Sequence, residues 1–170
     1  MNTFEIDTLN TEIPQSQNDL DDITRFFVKE IRSLSEKFPD VYDDEFSEQY
    51  IIMHSWYDFS TKIKDKTRFF RIIKNAKWEI IGYFESKQNG FYADTQTVQW
   101  ILVDPAYRWK GIARRLWNEF ESWCHVNNYT SVWSFAAIQN KVSESMHKTF
   151  MNDPMVTLFS DDTYIFVSKI

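Results

Sequence analysis

Val103-Asp-Pro-Ala-Tyr-Arg-Trp-Lys-Gly-Ile-Ala113 is the stretch on which the fold turns. An apolar strand ends at Val103, Asp104-Pro105 breaks it, and a helix follows to about Asn127 with Ile112, Leu116, Phe120 and Trp123 on one face. The first amides of such a helix have no partner within it and stand at the positive end of its dipole. They make an anion site. The chain has only three glycines, at 82, 90 and 111, and Gly111 stands where a backbone must approach a phosphate closely. Four of the eight residues from 108 to 115 are basic: Arg108, Lys110, Arg114 and Arg115. In an acidic protein this local cluster suggests a polyanionic ligand. The plainer alternative is a capped helix carrying solvated basic residues.

Outward from this segment, Thr95–Val103 reads as the strand that feeds the loop. Before it, Arg68-Phe-Phe-Arg-Ile-Ile-Lys74 and Trp78-Glu-Ile-Ile-Gly-Tyr-Phe-Glu85 read as two strands joined by a turn at Asn75-Ala76, with a further turn near Asn89-Gly90. Leu20, Ile23, Phe27, Ile31, Leu34 and Phe38 recur at three or four residues, a helix stripe with N-cap candidates Asn18 and Asp19 and a stop at Pro39. A second helix is expected over 44–59, and a strand over Phe4-Glu-Ile-Asp-Thr-Leu9. Downstream, Ser131-Val-Trp-Ser-Phe-Ala136 reads as a strand, Asn140 opens a helix to about Phe150, and two strands close the chain near 155–159 and 163–168. The order predicts one mixed α/β (α+β) domain over residues 1–170.

Bulk composition agrees with one domain and narrows its setting. The 170 residues are 43% hydrophobic and 18% aromatic, enough for a sizeable core. Met1–Leu9 does not read as a signal peptide, and no apolar run approaches the roughly 18 residues of a membrane span. Cys124 is the only cysteine, so no intrachain disulfide forms and a reducing cytoplasm is the expected location. The net charge of −6 opposes broad adhesion to nucleic acid. Acidic residues gather at Asp19, Asp21 and Asp22 and again at Asp40, Asp43, Asp44, Glu45 and Glu48. A solvated helix face accounts for both runs, and attraction of a cationic substrate is the sharper alternative.

The 103–113 stretch resembles the signature of the GNAT N-acetyltransferase superfamily. That signature is an apolar strand ending in Val, often an Asp/His-Pro step, then (Arg/Gln)-x-x-Gly-x-(Gly/Ala) at a helix start. Ala113 replaces the commoner final glycine. The following Asn-x-x-(Ala/Ser) pattern is matched by Asn140 and Ser143, His147 occupies the position of a family tyrosine, and the usual Gly-Phe pair is missing near Met151-Asn152. The resemblance implies the GNAT acyl-CoA N-acyltransferase fold: a central mixed, mostly antiparallel sheet of about seven strands, splayed at the cofactor strand and flanked by about four helices. It implies acetyl-CoA or a related acyl-CoA as co-substrate. The pyrophosphate would lie on the backbone of Arg108, Trp109, Lys110, Gly111, Ile112 and Ala113. The pantetheine arm would pair with Ile101 and Val103, and Asn140 and Ser143 would complete the cofactor site.

The implied reaction moves an acetyl or short acyl group to a primary amine of a small molecule or protein. It needs a neutral amine, stabilisation of a tetrahedral oxyanion and a proton for the departing thiolate. The Val103 amide matches the group that polarises the thioester carbonyl. His147 could protonate the thiolate as an imidazolium, since an unperturbed imidazole titrates near 6.5. Alternatively it packs beside the core. Relatives often carry a glutamate where this chain has Thr97 or Phe135. Glu85 and Asp94 are substitute bases, and Gln99 could position a water, although structural or solvent-facing roles suit all three. Cys124 reads as a buried thiol. His54, His125 and His147 lack a metal-ligand spacing, so no metal is expected. Trp109, in the loop itself, either covers part of CoA or packs on the surface. The final two strands are expected on the acceptor side, and exposed strand edges leave room for a homodimer. The missing tyrosine and carboxylates keep open an alternative: a non-catalytic CoA-binding or protein-interaction module that retains the GNAT fold.

Overall fold

The computed structural model describes residues 10–13, 17–39, 61 and 64–170. Among these the strands are β1 Asn10–Glu12, β2 Arg68–Lys74, β3 Ile80–Gln88, β4 Thr95–Val103, β5 Ser131–Ala137, β6 Met155–Ser160 and β7 Thr163–Lys169. The helices are α1 Gln17–Lys37, α2 Ile112–Val126 and α3 Lys141–Phe150, with a 3₁₀ turn at Pro105–Tyr107. The strands form one mixed sheet in the order β1-β2-β3-β4-β5-β7-β6. Every neighbouring pair is antiparallel except β4 and β5, which run parallel. Parallel neighbours need a crossover, and the 3₁₀ turn, the 108–111 loop and α2 supply it. The expected strand at 4–9 and helix at 44–59 lie outside the described residues.

Two local expectations shift for identifiable reasons. Asn18 and Asp19 do not cap α1, because the helix already begins at Gln17. The Asp19 carboxylate instead accepts a hydrogen bond from Lys74 Nζ at 2.7 Å, a tertiary partner invisible to local pattern. Trp78 belongs to the β2–β3 turn rather than to β3 and has φ 64°. Asn75 organises that turn, its Oδ1 accepting from the amides of Lys77 and Glu79 at 2.9 and 3.1 Å.

The sheet is covered on both faces. α2 buries Ile112, Leu116, Trp117, Phe120 and Cys124 against Phe69, Ile73, Phe84, Val132 and Phe166. On the other face α1 brings Ile23 and Phe26 against Phe70, Ile72, Tyr83 and Leu102. The 3.6-residue spacing of apolar positions in both helices and the residue alternation of the strands produce these contacts directly. Gly82 sets how closely α2 approaches β3. A Cβ built there would lie 2.9 Å from Ile112 Cγ2, nearer than side-chain atoms tolerate. This close seating places the start of α2 beside the end of β4.

Candidate active site

β4 and β5 pair over three residues only, Thr95↔Ser131, Gln96↔Val132 and Thr97↔Trp133. Beyond Thr97 they separate, while β5 stays registered to β7 along its whole length. A cavity of about 700 Å³ opens here, with Val98 to Val103 and Ser134 to Ala137 on its walls. On the β3 side of β4 the amide of Asp104 donates to the Ile81 carbonyl at 3.0 Å. Successive residues of an antiparallel pair alternate between facing the partner strand and facing away. Ile101 and Val103 therefore direct their backbone groups away from β3, toward the opening. The Val103 carbonyl already accepts from Arg108 Nε at 2.9 Å. The Val103 amide and both Ile101 groups are left as the polar edge of the slot.

The loop at the mouth of the slot is a concave array of amides. Trp109 and Gly111 have positive φ, 64° and 78°, while Arg108 has φ −63° and Lys110 is also negative. Alternation of this kind turns successive N–H groups toward one centre, the geometry of an anion nest. Gly111 is the N-cap of α2 and supplies no side chain to its first amides. They remain as donors at the positive end of the helix dipole. A left-handed conformation costs a residue such as Trp109 roughly 1–2 kcal/mol. Its indole is 90% exposed, so surface packing does not explain its placement.

The basic side chains of this segment are largely engaged by the protein. Arg108 points inward, pairing with Glu30 Oε2 at 3.2 Å as well as with Val103. It ties the loop to α1 and is turned away from a direct anion role. Lys110 Nζ lies 4.9 Å from the Tyr107 ring centroid, Arg114 lies 4.1 Å over Phe150 and donates to the Thr149 carbonyl, and Arg115 pairs with Glu119. Any attraction for an anion therefore falls mainly to the loop backbone. Glu30 is itself 1% exposed, and its Oε1 has no hydrogen-bond partner. Burial raises its pKa, against the opposing pull of Arg108 and Lys29.

Of the residues singled out from sequence, Ile101, Val103, Arg108, Trp109, Gly111, Ile112, Ala113, Asn140, Ser143 and His147 all line the cavity. Lys110 does not. Asn140 and Ser143 are coupled as a helix cap: Asn140 Oδ1 accepts from the Ser143 amide at 3.1 Å. His147 is 2% exposed, stacked on Phe166 and in hydrogen-bond contact with Ser134 Oγ at 2.6 Å. Burial lowers its pKa to about 4, with the Ser143 backbone pulling the other way. Burial therefore disfavours the imidazolium form in which the ring would donate to a thiolate.

The substitute bases do not reach the cavity. Glu85 is buried against Arg68 and the Tyr83 hydroxyl. Asp94 is exposed and accepts from Thr130 Oγ1 at 2.6 Å, fastening the entry of β5 to that of β4. Gln99 and Phe135 do line it, whereas Thr97 accepts from Asn89 Nδ2. Of the final two strands only Thr163 lies on the wall. Cys124 is fully buried and burial raises its thiol pKa, as expected of a structural thiol. Sequence reasoning passed over Ser134 and Glu30. Both are polar residues in apolar patterns, a signal that local reading discounts.

Residues 28–151 match the family model described as the acetyltransferase (GNAT) family. The chain belongs to this family. Its GNAT fold is shared with solved structures at low sequence identity. One is the PaiA N-acetyltransferase of Thermoplasma acidophilum in complex with coenzyme A: TM-score 0.75, 17% identity, 95% of this chain and 99% of that one covered. A GNAT-family acetyltransferase of Staphylococcus aureus aligns with TM-score 0.72 at 11% identity over 95% and 98% of the two chains. The spermidine N-acetyltransferase of Vibrio cholerae, in complex with CoA and spermine, aligns with TM-score 0.65 at 18% identity over 96% of each. No curated protein matches the sequence significantly. Among the described residues of this GNAT chain, no helix is long and apolar enough to cross a membrane.

Proposed function

We propose that the chain is an N-acyltransferase that moves an acetyl or short acyl group from acyl-CoA to a primary amine. The observation that carries this is the opening between β4 and β5, with inward-facing backbone groups along one edge and an amide nest at its mouth. A long, flexible amide-bearing arm ending in a diphosphate fits that combination. The 108–113 backbone takes the diphosphate, and Ile101 and Val103 pair with the arm. Asn140 and Ser143 shape the opposite wall. Trp109 lies beside the diphosphate position, free to cover the cofactor. The Val103 amide is a donor for the developing oxyanion, and we assign proton handling to His147 as a neutral imidazole. The Vibrio cholerae structure holds spermine with CoA, which makes polyamines the first acceptors to try.

A second reading, a CoA-binding module without turnover, is favoured by one observation: neither Glu85 nor Asp94 reaches the cavity. Calorimetric titration with acetyl-CoA, followed by thiol release with spermidine, spermine and a lysine peptide, separates the two. Binding with amine-dependent release is expected. Binding without release from any acceptor supports the module, and no binding removes the cofactor assignment altogether. His147→Phe should lower kcat by about 100-fold while leaving acetyl-CoA affinity nearly unchanged; equal turnover takes His147 out of the chemistry.

A further inference from the structure

Ser134 stands on β5 immediately after the last β4 pair, Thr97↔Trp133, at the point where the two strands part. It is 1% exposed and lines the cavity together with His147. Serine at a core-facing strand position is out of place among Val132, Ala136 and Phe166 unless its hydroxyl is used. Here it lies 2.6 Å from His147 Nε2. The ring plane is fixed from a third direction by Phe166, with centroids 5.0 Å apart and planes 29° from parallel. On its other side, contact with the Ser143 backbone raises the proton affinity of the ring, as a carbonyl acceptor does. The Ser143 hydroxyl, 3.5 Å from Nδ1, is at the outer limit of a hydrogen bond. The tautomer with its proton on Nδ1 leaves Nε2 to accept from the Ser134 hydroxyl.

Acyl transfer to an amine leaves one proton to be moved. The attacking nitrogen must lose it and the departing thiolate must gain it. Among the described residues Glu30 is the one carboxylate on the cavity wall, and its Oε2 is held by Arg108. We propose that Ser134 and His147 together shuttle this proton between amine and thiolate, Ser134 making the contact with the reacting atoms. The inference rests on acyl transfer being the reaction. As the N–C bond forms, the amine proton passes to Ser134 Oγ while the Ser134 hydroxyl proton passes to His147 Nε2. When the tetrahedral intermediate collapses and the C–S bond breaks, the thiolate takes a proton from Ser134, and Nε2 returns its proton to Oγ. The pair ends as it began. The sum is amine plus thioester giving amide plus thiol. The ring is neutral at rest and so can accept, and burial makes its protonated form short-lived, ready to return the proton. It also explains how His147 acts although Ser134 already occupies its Nε2.

The test uses the full chain with acetyl-CoA and two acceptors, spermidine and hydroxylamine, the second being small enough to need no fitted pocket. Ser134→Ala should lower kcat by about 100-fold with both amines. The KM and calorimetric Kd for acetyl-CoA should stay within about twofold, since no contact with the cofactor arm is removed. Ser134→Thr, which keeps a hydroxyl, should recover most of the lost rate. The double variant S134A/H147F should be no slower than the worse single variant, because both residues lie on one proton route. Wild-type kcat in S134A, a defect seen mainly in the KM for acetyl-CoA, or losses that multiply in the double variant would each overturn the shuttle. Absence of thiol release by the wild-type chain with either amine instead overturns the acyl-transfer assignment beneath it.

Discussion

The two sides of β4 are paired very differently. Toward β3 the strand is registered from Gly82↔Val103 to Gln88↔Gln96, with one irregularity at Glu85/Ser86. Toward β5 the pairing stops after three residues. Both neighbours carry strand-forming side chains, Ile80, Ile81, Tyr83 and Phe84 on β3 and Val132, Trp133 and Phe135 on β5, so residue preference does not produce the difference. β5 follows β7, to which it is paired throughout, and Phe135 packs edge-on against Phe159 at 5.0 Å on that side. The closed side supplies rigidity and the open side supplies unpaired donors and acceptors. Under the proposed function the ligand takes the place of the missing strand partner along this backbone edge.

The largest expected effect lies at the mouth of the open side. Gly111→Asp places a carboxylate within the amide nest and adds a side chain at φ 78°. That carboxylate can occupy the nest itself and repels a diphosphate approaching it, so acetyl-CoA affinity should fall roughly 100- to 1000-fold. Calorimetry on a variant with an unchanged melting curve decides it, and undiminished affinity would sink the loop assignment.

The next effect lies on the wall of the same opening. His147 has its pKa lowered from 6.5 to about 4 by burial. Its contribution to stability is therefore complete above pH 6.5. As pH falls from 6.5 toward 4, the unfolded chain takes up a proton that the folded one resists, and that contribution is lost, by at most about 3 kcal/mol. Denaturant unfolding at several pH values should show this slope in the wild-type chain and its absence in His147→Phe. Parallel pH curves for the two proteins would show that the ring titrates normally.

The smallest effect sharpens the picture of the closed side. Gly82→Ala puts a methyl group 2.9 Å from Ile112 Cγ2, which α2 must yield to accommodate. Overpacking of this kind costs about 1–3 kcal/mol. Thermal unfolding should show the loss, and under the proposed role of the α2 N-terminus acetyl-CoA affinity should weaken modestly with it. Unchanged stability would mean that the β3–α2 contact is looser than its geometry implies.

Most of the fold was legible because it is written in local periodicity. β2, β4, the start of β5, α2 and α3 fall where the spacing of apolar residues places them. The loop was legible for another reason: Gly111 and the strand-break-helix order encode its shape without help from distant residues. The fate of the charged groups was not. Arg108, read as part of a basic cluster, is claimed by Glu30, a residue 78 positions away. Glu85, read as a substitute base, is claimed by Arg68 and Tyr83. Ser134 drew no attention because an isolated serine in a strand carries no signal until its partner is known.

By itself the sequence determined most of the described strands and helices, the break between β4 and α2 with a glycine at the helix start, and that Asn140 caps the helix bearing His147. These follow from propensity, periodicity and capping, whose range is a few residues. Only the tertiary structure decided that β4 and β5 part, that Arg108 faces inward, and that His147 is neutral beside Ser134. Each of these depends on groups far apart in the chain sharing a desolvated space, where a partner or its absence shifts a proton or a charge by several kcal/mol.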